Sequence, residues 1–158
     1  MQQNFHTFRE YMNRVGSRLS ASTQDYLEMI YRLSRERGYT RIVELSGALN
    51  VAPSAATRMV QKLAELKLVK YRKYGVLELE DAGRLLGESL LERHNTVERF
   101  LRVLGVGEKT LLEETEKTEH TLSGDTMRCI SVFLDFLDLN PSVAESFREF
   151  REKQTRLI

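Results

Sequence analysis

Residues 42–80 read IVELSGALNVAPSAATRMVQKLAELKLVKYRKYGVLELE, and this stretch decides the fold. Its first eight residues carry apolar positions at helical spacing and end near Asn50. Val51 and Ala52 leave room for only a tight connection, and Pro53 suits the first position of a new helix, where a missing N–H costs nothing. That helix is expected to run to Lys67, with Ala56, Met59, Val60 and Leu63 on one face. Two short helices on a turn of a few residues have helix-turn-helix geometry. Residues 68–71 and 76–80 then alternate as strands around the basic turn Arg72-Lys73-Tyr74-Gly75. Helix, helix and hairpin together predict a winged helix-turn-helix; a small α+β domain with no DNA role is the bland alternative.

Outward from this segment the chain is helical. Residues 23–37 predict a helix capped by Ser22 or Thr23 and stopped by Gly38, burying Tyr26, Ile30 and Leu33. Downstream, a long helix is expected over 81–104, with Leu90, His94, Val97, Leu101 and Leu104 on one stripe, broken by Gly105-Val106-Gly107. Further helices are expected over 108–122, 125–137 and, after Pro141, to about Gln154. The fold class is therefore mainly α: an N-terminal winged helix-turn-helix followed by an all-helical dimerisation domain. The boundaries are 1–21 for an N-terminal extension, 22–80 for the DNA-binding domain and 81–158 for the metal-binding and dimerisation domain. In the extension Phe5, Phe8, Met12, Val15 and Leu19 fit an amphipathic helix, with a basic arm as the other reading. The apolar face of Phe100, Leu104, Leu111, Ile130, Phe133, Leu134 and Phe136 is large for so few residues and predicts a homodimer.

The net charge of +1 conceals an asymmetry. Residues 1–75 hold 13 Lys and Arg against 6 Asp and Glu, a net +7, whereas residues 76–158 hold 11 against 17, a net −6. A basic first half predicts a polyanionic partner, here double-stranded DNA. On the third-helix face Ser54, Ala55, Thr57, Arg58 and Gln61 are candidates for base edges, Arg58 by bidentate bonding to guanine. Lys62, Arg72 and Lys73 are candidates for phosphate, and Arg41 is a weaker one. No stretch approaches the ~18 apolar residues of a membrane span. The single Cys129 excludes an intrachain disulfide framework and fits a reducing, cytoplasmic setting, as a small buried hydrophobe in an apolar run.

The run Glu116-Lys117-Thr118-Glu119-His120 places two carboxylates and an imidazole on one helical face, with Leu112 a turn earlier. Acids aimed where a core residue would point need a counter-charge, and a cation is the natural one. Asp25 and Glu28 at i, i+3 and the mid-chain His94 are ligands of the same kind. Four carboxylates and two imidazoles suit a hard or borderline divalent metal. Singly, each has a plainer reading: His94 as a core histidine, the acid pairs as solvated faces, His120 as a helix cap.

Five segments in order, DYLEMIYRL, ALNVAPSAATRMVQKL, LVKYRKYGVLELEDAGR, RHNTVERFLRVLGV and ETEKTEHTLS, make residues 22–140 resemble the diphtheria-toxin-repressor family of metal-dependent transcriptional regulators, in its manganese-responsive branch. The resemblance implies metal ligands at Asp25, Glu28, His94, Glu116, Glu119 and His120. Iron-responsive members carry a methionine where this chain has Asp25. The implied cofactor is Mn²⁺, two ions per subunit on charge balance, with other divalent metals able to enter. The implied function is repression of metal-uptake genes from a palindromic operator, with no enzymatic activity. A di-metal carboxylate enzyme and a winged-helix regulator without metal control are the competing readings.

Overall fold

The computed structural model describes residue 16 and residues 18–155. The helix expected within residues 1–20 therefore lies largely outside the described residues. Seven α-helices and one small sheet are present among them. The chain divides into two units, residues 1–91 and 92–158.

The first unit opens with α1 (Ala21–Ser34). Its N-cap is Ser20, not Ser22 or Thr23: Ser20 Oγ accepts from Thr23 N at 3.3 Å, while Thr23 itself is fully buried with its hydroxyl 3.5 Å from Met59 S. The helix stops at Ser34, short of the expected residue 37, and Gly38 (φ +81) donates its N–H back to Ser34 O. A two-residue strand β1 (Thr40–Arg41), absent from the sequence reading, leads into α2 (Ile42–Ala48). The turn places Asn50 at φ 52 before α3 (Pro53–Glu65), which buries Ala56, Val60 and Leu63. Strands β2 (Val69–Tyr71) and β3 (Val76–Leu79) follow, joined by a 3₁₀ turn at Lys73–Gly75. The sheet is antiparallel in the order β1-β3-β2, pairing Thr40 with Leu77 and Val69 with Leu79.

One core holds this unit together: Leu27, Ile30, Leu45, Val60, Leu63, Leu68 and Leu77 are essentially inaccessible. The long helix α4 (Asp81–Leu104) begins here and crosses the boundary between Leu91 and Glu92. Its start passes so close to the wing that a Cβ on Gly83 would meet Leu68 O at 1.9 Å, and one on Gly87 would meet Tyr31 Cβ at 2.7 Å. Only glycine permits that approach.

The second unit comprises the rest of α4, then α5 (Glu108–Glu119), α6 (Gly124–Leu139) and α7 (Pro141–Thr155). Asn140 joins the last two by donating Nδ2–H to Phe136 O at 2.8 Å. Phe100 and Phe133 meet edge to face, with centroids 6.1 Å apart. Val97, Leu111, Ile130, Leu134 and Leu137 are buried, but Leu112, Val132, Phe136, Leu139 and Phe150 are exposed. Two expectations are corrected here. Cys129 is exposed, because the buried stripe of α6 runs through Ile130, Leu134 and Leu137. On α5 the inward stripe is Leu111, Thr115 and Glu119, so Leu112 and Glu116 lie on the outward side.

Candidate metal centre and nucleic-acid interface

In the second unit α4 supplies His94 and α5 supplies Glu116 and Glu119, with His120 as the C-cap of α5. His94 and Glu119 are each only 2% exposed. His94 Nδ1 lies 2.9 Å from Glu119 Oε2 and 3.7 Å from Glu116 Oε1, and Glu119 Oε1 lies 3.5 Å from His120 Nε2. One ligand atom from each of Glu116, Glu119 and His120 falls within 4.8 Å of the others. Glu119 Oε2 is buried and accepts no well-aligned hydrogen bond among the described residues. A buried carboxylate oxygen facing imidazole nitrogen at contact distance is costly unless a proton or a cation lies between the two. This oxygen- and nitrogen-rich set therefore fits a divalent metal.

Two neighbours were not foreseen from the sequence. Glu98, one turn beyond His94, puts Oε2 3.5 Å from His94 Nε2, while its Oε1 accepts from Arg102 at 2.7 Å. Arg93, adjacent to His94, donates Nε–H to Glu119 O at 2.7 Å and a second N–H to Leu122 O. Those carbonyls lie at and just beyond the end of α5, where carbonyl groups lack intrahelical partners. Arg93 thus clasps the end of the ligand-bearing helix. Burial pulls its guanidinium below the usual arginine value, and the Glu119 charge opposes that shift.

In the first unit Asp25 and Glu28 sit one turn apart on α1, Asp25 half-buried and Glu28 buried. Glu28 Oε1 accepts from Arg32 Nε at 2.9 Å and from its terminal nitrogen at 2.5 Å.

On α3 the face opposite Ala56, Val60 and Leu63 presents Ser54, Arg58, Gln61 and Lys62, all exposed. Ala55 and Thr57 are half-buried, and Thr57 Oγ1 bonds back to Pro53 O at 2.9 Å. On the wing Lys73 is exposed and Arg72 donates Nε–H to Glu78 at 2.7 Å. Tyr74, passed over in the sequence reading, is 91% exposed at the tip.

Residues 18–77 match the iron dependent repressor N-terminal DNA binding domain, and residues 80–148 match the metal binding and dimerisation domain of the same family. The chain is 36% identical over 132 residues to the HTH-type transcriptional regulator MntR of Geobacillus kaustophilus (strain HTA426), covering 84% of this chain and 94% of that protein. It is 37% identical over 124 residues to the MntR of Lysinibacillus sphaericus (strain C3-41), covering 78% and 89%. Among solved structures, the manganese regulator SloR aligns with a TM-score of 0.64 at 30% identity over 72% of this chain and 54% of that one. A manganese-dependent transcriptional repressor in complex with manganese aligns at 0.62 and 32%, over 72% and 53%. The chain thus spans about half the length of those two structures. No helix among the described residues is long and apolar enough to cross a membrane. A winged reading head, a helical unit gathering acids and imidazoles, and both halves of one family description leave no place for the enzyme alternative: the chain belongs to the iron-dependent repressor family, as a metal-dependent, homodimeric, DNA-binding transcriptional regulator.

Proposed function

We propose that this protein is a manganese-activated repressor of metal-uptake genes, acting in the cytoplasm on a palindromic operator. Asp25, Glu28, His94, Glu116, Glu119 and His120 hold two Mn²⁺ per subunit, with other divalent metals able to enter. The reading head spans 22–80, the metal-binding and dimerisation part 81–158, and residues 1–21 precede them. The observation that carries the reading is the buried pairing of Glu119 with His94, beside Glu116 and His120, in a chain similar to solved structures described as a manganese regulator and a manganese-dependent repressor.

Bound metal adds positive charge where four carboxylates are gathered, beyond the Arg32 guanidinium already on Glu28. Without it, repulsion among Asp25, Glu28, Glu116 and Glu119 opposes their convergence and leaves the reading heads free to move relative to the dimer. With it, the two heads are held at the spacing of successive major grooves. Ser54, Ala55, Thr57, Arg58 and Gln61 then face base edges, while Lys62, Arg72 and Lys73 face phosphates. By linkage metal and DNA strengthen each other's binding by about 1–3 kcal/mol, or about 5- to 150-fold.

The test measures affinity for an operator duplex at fixed salt, with Mn²⁺ and with chelator. Tighter binding with Mn²⁺ is expected, and equal affinity would overturn the reading. Salt is held constant because phosphate neutralisation alone changes affinity by orders of magnitude.

A further inference from the structure

The wing closes at Lys73–Gly75, where Arg72 N–H donates to Val76 O at 2.8 Å. Within that turn Tyr74 adopts φ 62, ψ 27, and Gly75 follows at φ +71. Left-handed backbone suits glycine, asparagine or aspartate, whereas a bulky side chain there is a genuine outlier. Packing does not explain the choice, because Tyr74 is 91% exposed, the most exposed large hydrophobic residue among those described. A strained position that displays its side chain to solvent points to use of that side chain. Its setting names the partner. Lys70, Arg72 and Lys73 precede it in the hairpin, all exposed, Lys70 paired with Glu80 at 3.1 Å and Arg72 with Glu78 at 2.7 Å. A tyrosine among cations at the end of a projecting hairpin suits a polyanion with apolar sugar edges.

We infer that Tyr74 is a DNA-backbone contact: its ring lies against a deoxyribose and its O–H donates to a phosphate oxygen. The inference rests on the DNA-reading role proposed above and adds a residue to it. Such a contact fixes the docking of the wing and carries no sequence information. It also differs from its neighbours in one measurable respect. Lys73 is a cation whose contact releases a counterion, whereas a neutral phenol releases none.

The experiment uses the full chain and two duplexes: one selected by the wild-type protein from a random-sequence pool in Mn²⁺, and one of mixed sequence at low salt. Asparagine tolerates the left-handed backbone, so Tyr74→Asn should keep or raise the melting temperature and leave Mn²⁺ affinity unchanged. It should weaken binding to both duplexes by about tenfold, because the ring contact and the hydrogen bond are lost together. The slope of affinity against salt should stay as in wild type, whereas Lys73→Ala should lower it by about one. Tyr74→Phe, which keeps the ring, should lose only about threefold of that tenfold. Wild-type affinity in Tyr74→Asn would overturn the inference. So would a fall in melting temperature or Mn²⁺ affinity that tracks the loss of binding, since the ring would then be structural. Binding to the mixed-sequence duplex at low salt needs no metal. Failure of manganese control would therefore break the earlier reading while Tyr74 was still decided on that duplex.

Discussion

The two units of the chain bury their surfaces differently. In residues 1–91 most apolar side chains close on one another, and the exposed faces of α3 and the wing are mainly polar or cationic, with Tyr71 and Tyr74 the apolar exceptions on the wing. In residues 92–158 fewer apolar residues are buried, large ones stand in solvent on α5, α6 and α7, and two of the most buried side chains are the polar pair His94 and Glu119. The first unit resembles a finished domain. The second carries exposed apolar faces and a buried acid–imidazole pair, which in the function proposed above are completed by a second copy and by a divalent cation.

That contrast can be broken by paired substitutions. Leu63→Ala, in the closed core, should cost about 2–5 kcal/mol of stability in chemical denaturation, the range for large-to-small core changes. Phe136→Ala, on an exposed face of α6, should leave protomer stability nearly intact but weaken dimerisation by about tenfold or more, read by sedimentation at micromolar concentration. Equal losses of stability from the two would mean that both units are self-sufficient.

Arg93 supports the second unit from within, holding the end of its ligand helix by contacts to backbone carbonyls. Arg93→Gln removes the clasp on Glu119 O and Leu122 O. It should lower Mn²⁺ affinity about ten- to a hundredfold, as losses of supporting contacts at metal sites do, while operator binding at saturating metal recovers. Unchanged Mn²⁺ affinity by competition with a chromophoric chelator would show that α5 needs no such support.

The smallest effect belongs to the first unit. Arg37 and then Thr40, with the Arg41 N–H, hold the Glu44 carboxyl down at about 2. Because the folded value is depressed, Glu44 contributes stability that is fully present above the ordinary carboxylate value and is lost as pH falls toward about 2. Comparing melting temperatures of wild type and Glu44→Gln, the advantage of wild type should be constant from pH 7 to 5 and shrink below about 4.5. The group is at the surface, so the change should be small and should diminish with added salt.

Sequence alone was enough for the winged head and for the kind of chemistry the second unit carries. Pro53 after a short helix, the 3.6-residue period of Ala56, Val60 and Leu63, and the break between two β-rich runs at Arg72–Gly75 are local signals, and local geometry answers them. The acids and imidazoles were likewise visible as residue types at helical spacing. Other features were decided only by tertiary structure. Strand β1 is two residues long, too short to show a period, and exists because β3 offers it hydrogen bonds. Ser20 caps α1 because Thr23 is taken into the core. The phase of α5 could not be read from Leu112, since a helix with apolar residues at both 111 and 112 has two candidate faces until packing buries Leu111 with Thr115 and Glu119. Cys129 and Ile130 pose the same ambiguity on α6. The 2.9 Å approach of Glu119 to His94 joins residues 25 positions apart on different helices, and no spacing rule in one helix can specify it. Periodicity states what a helix can offer to either side; only the packing of one helix against another settles which side is used.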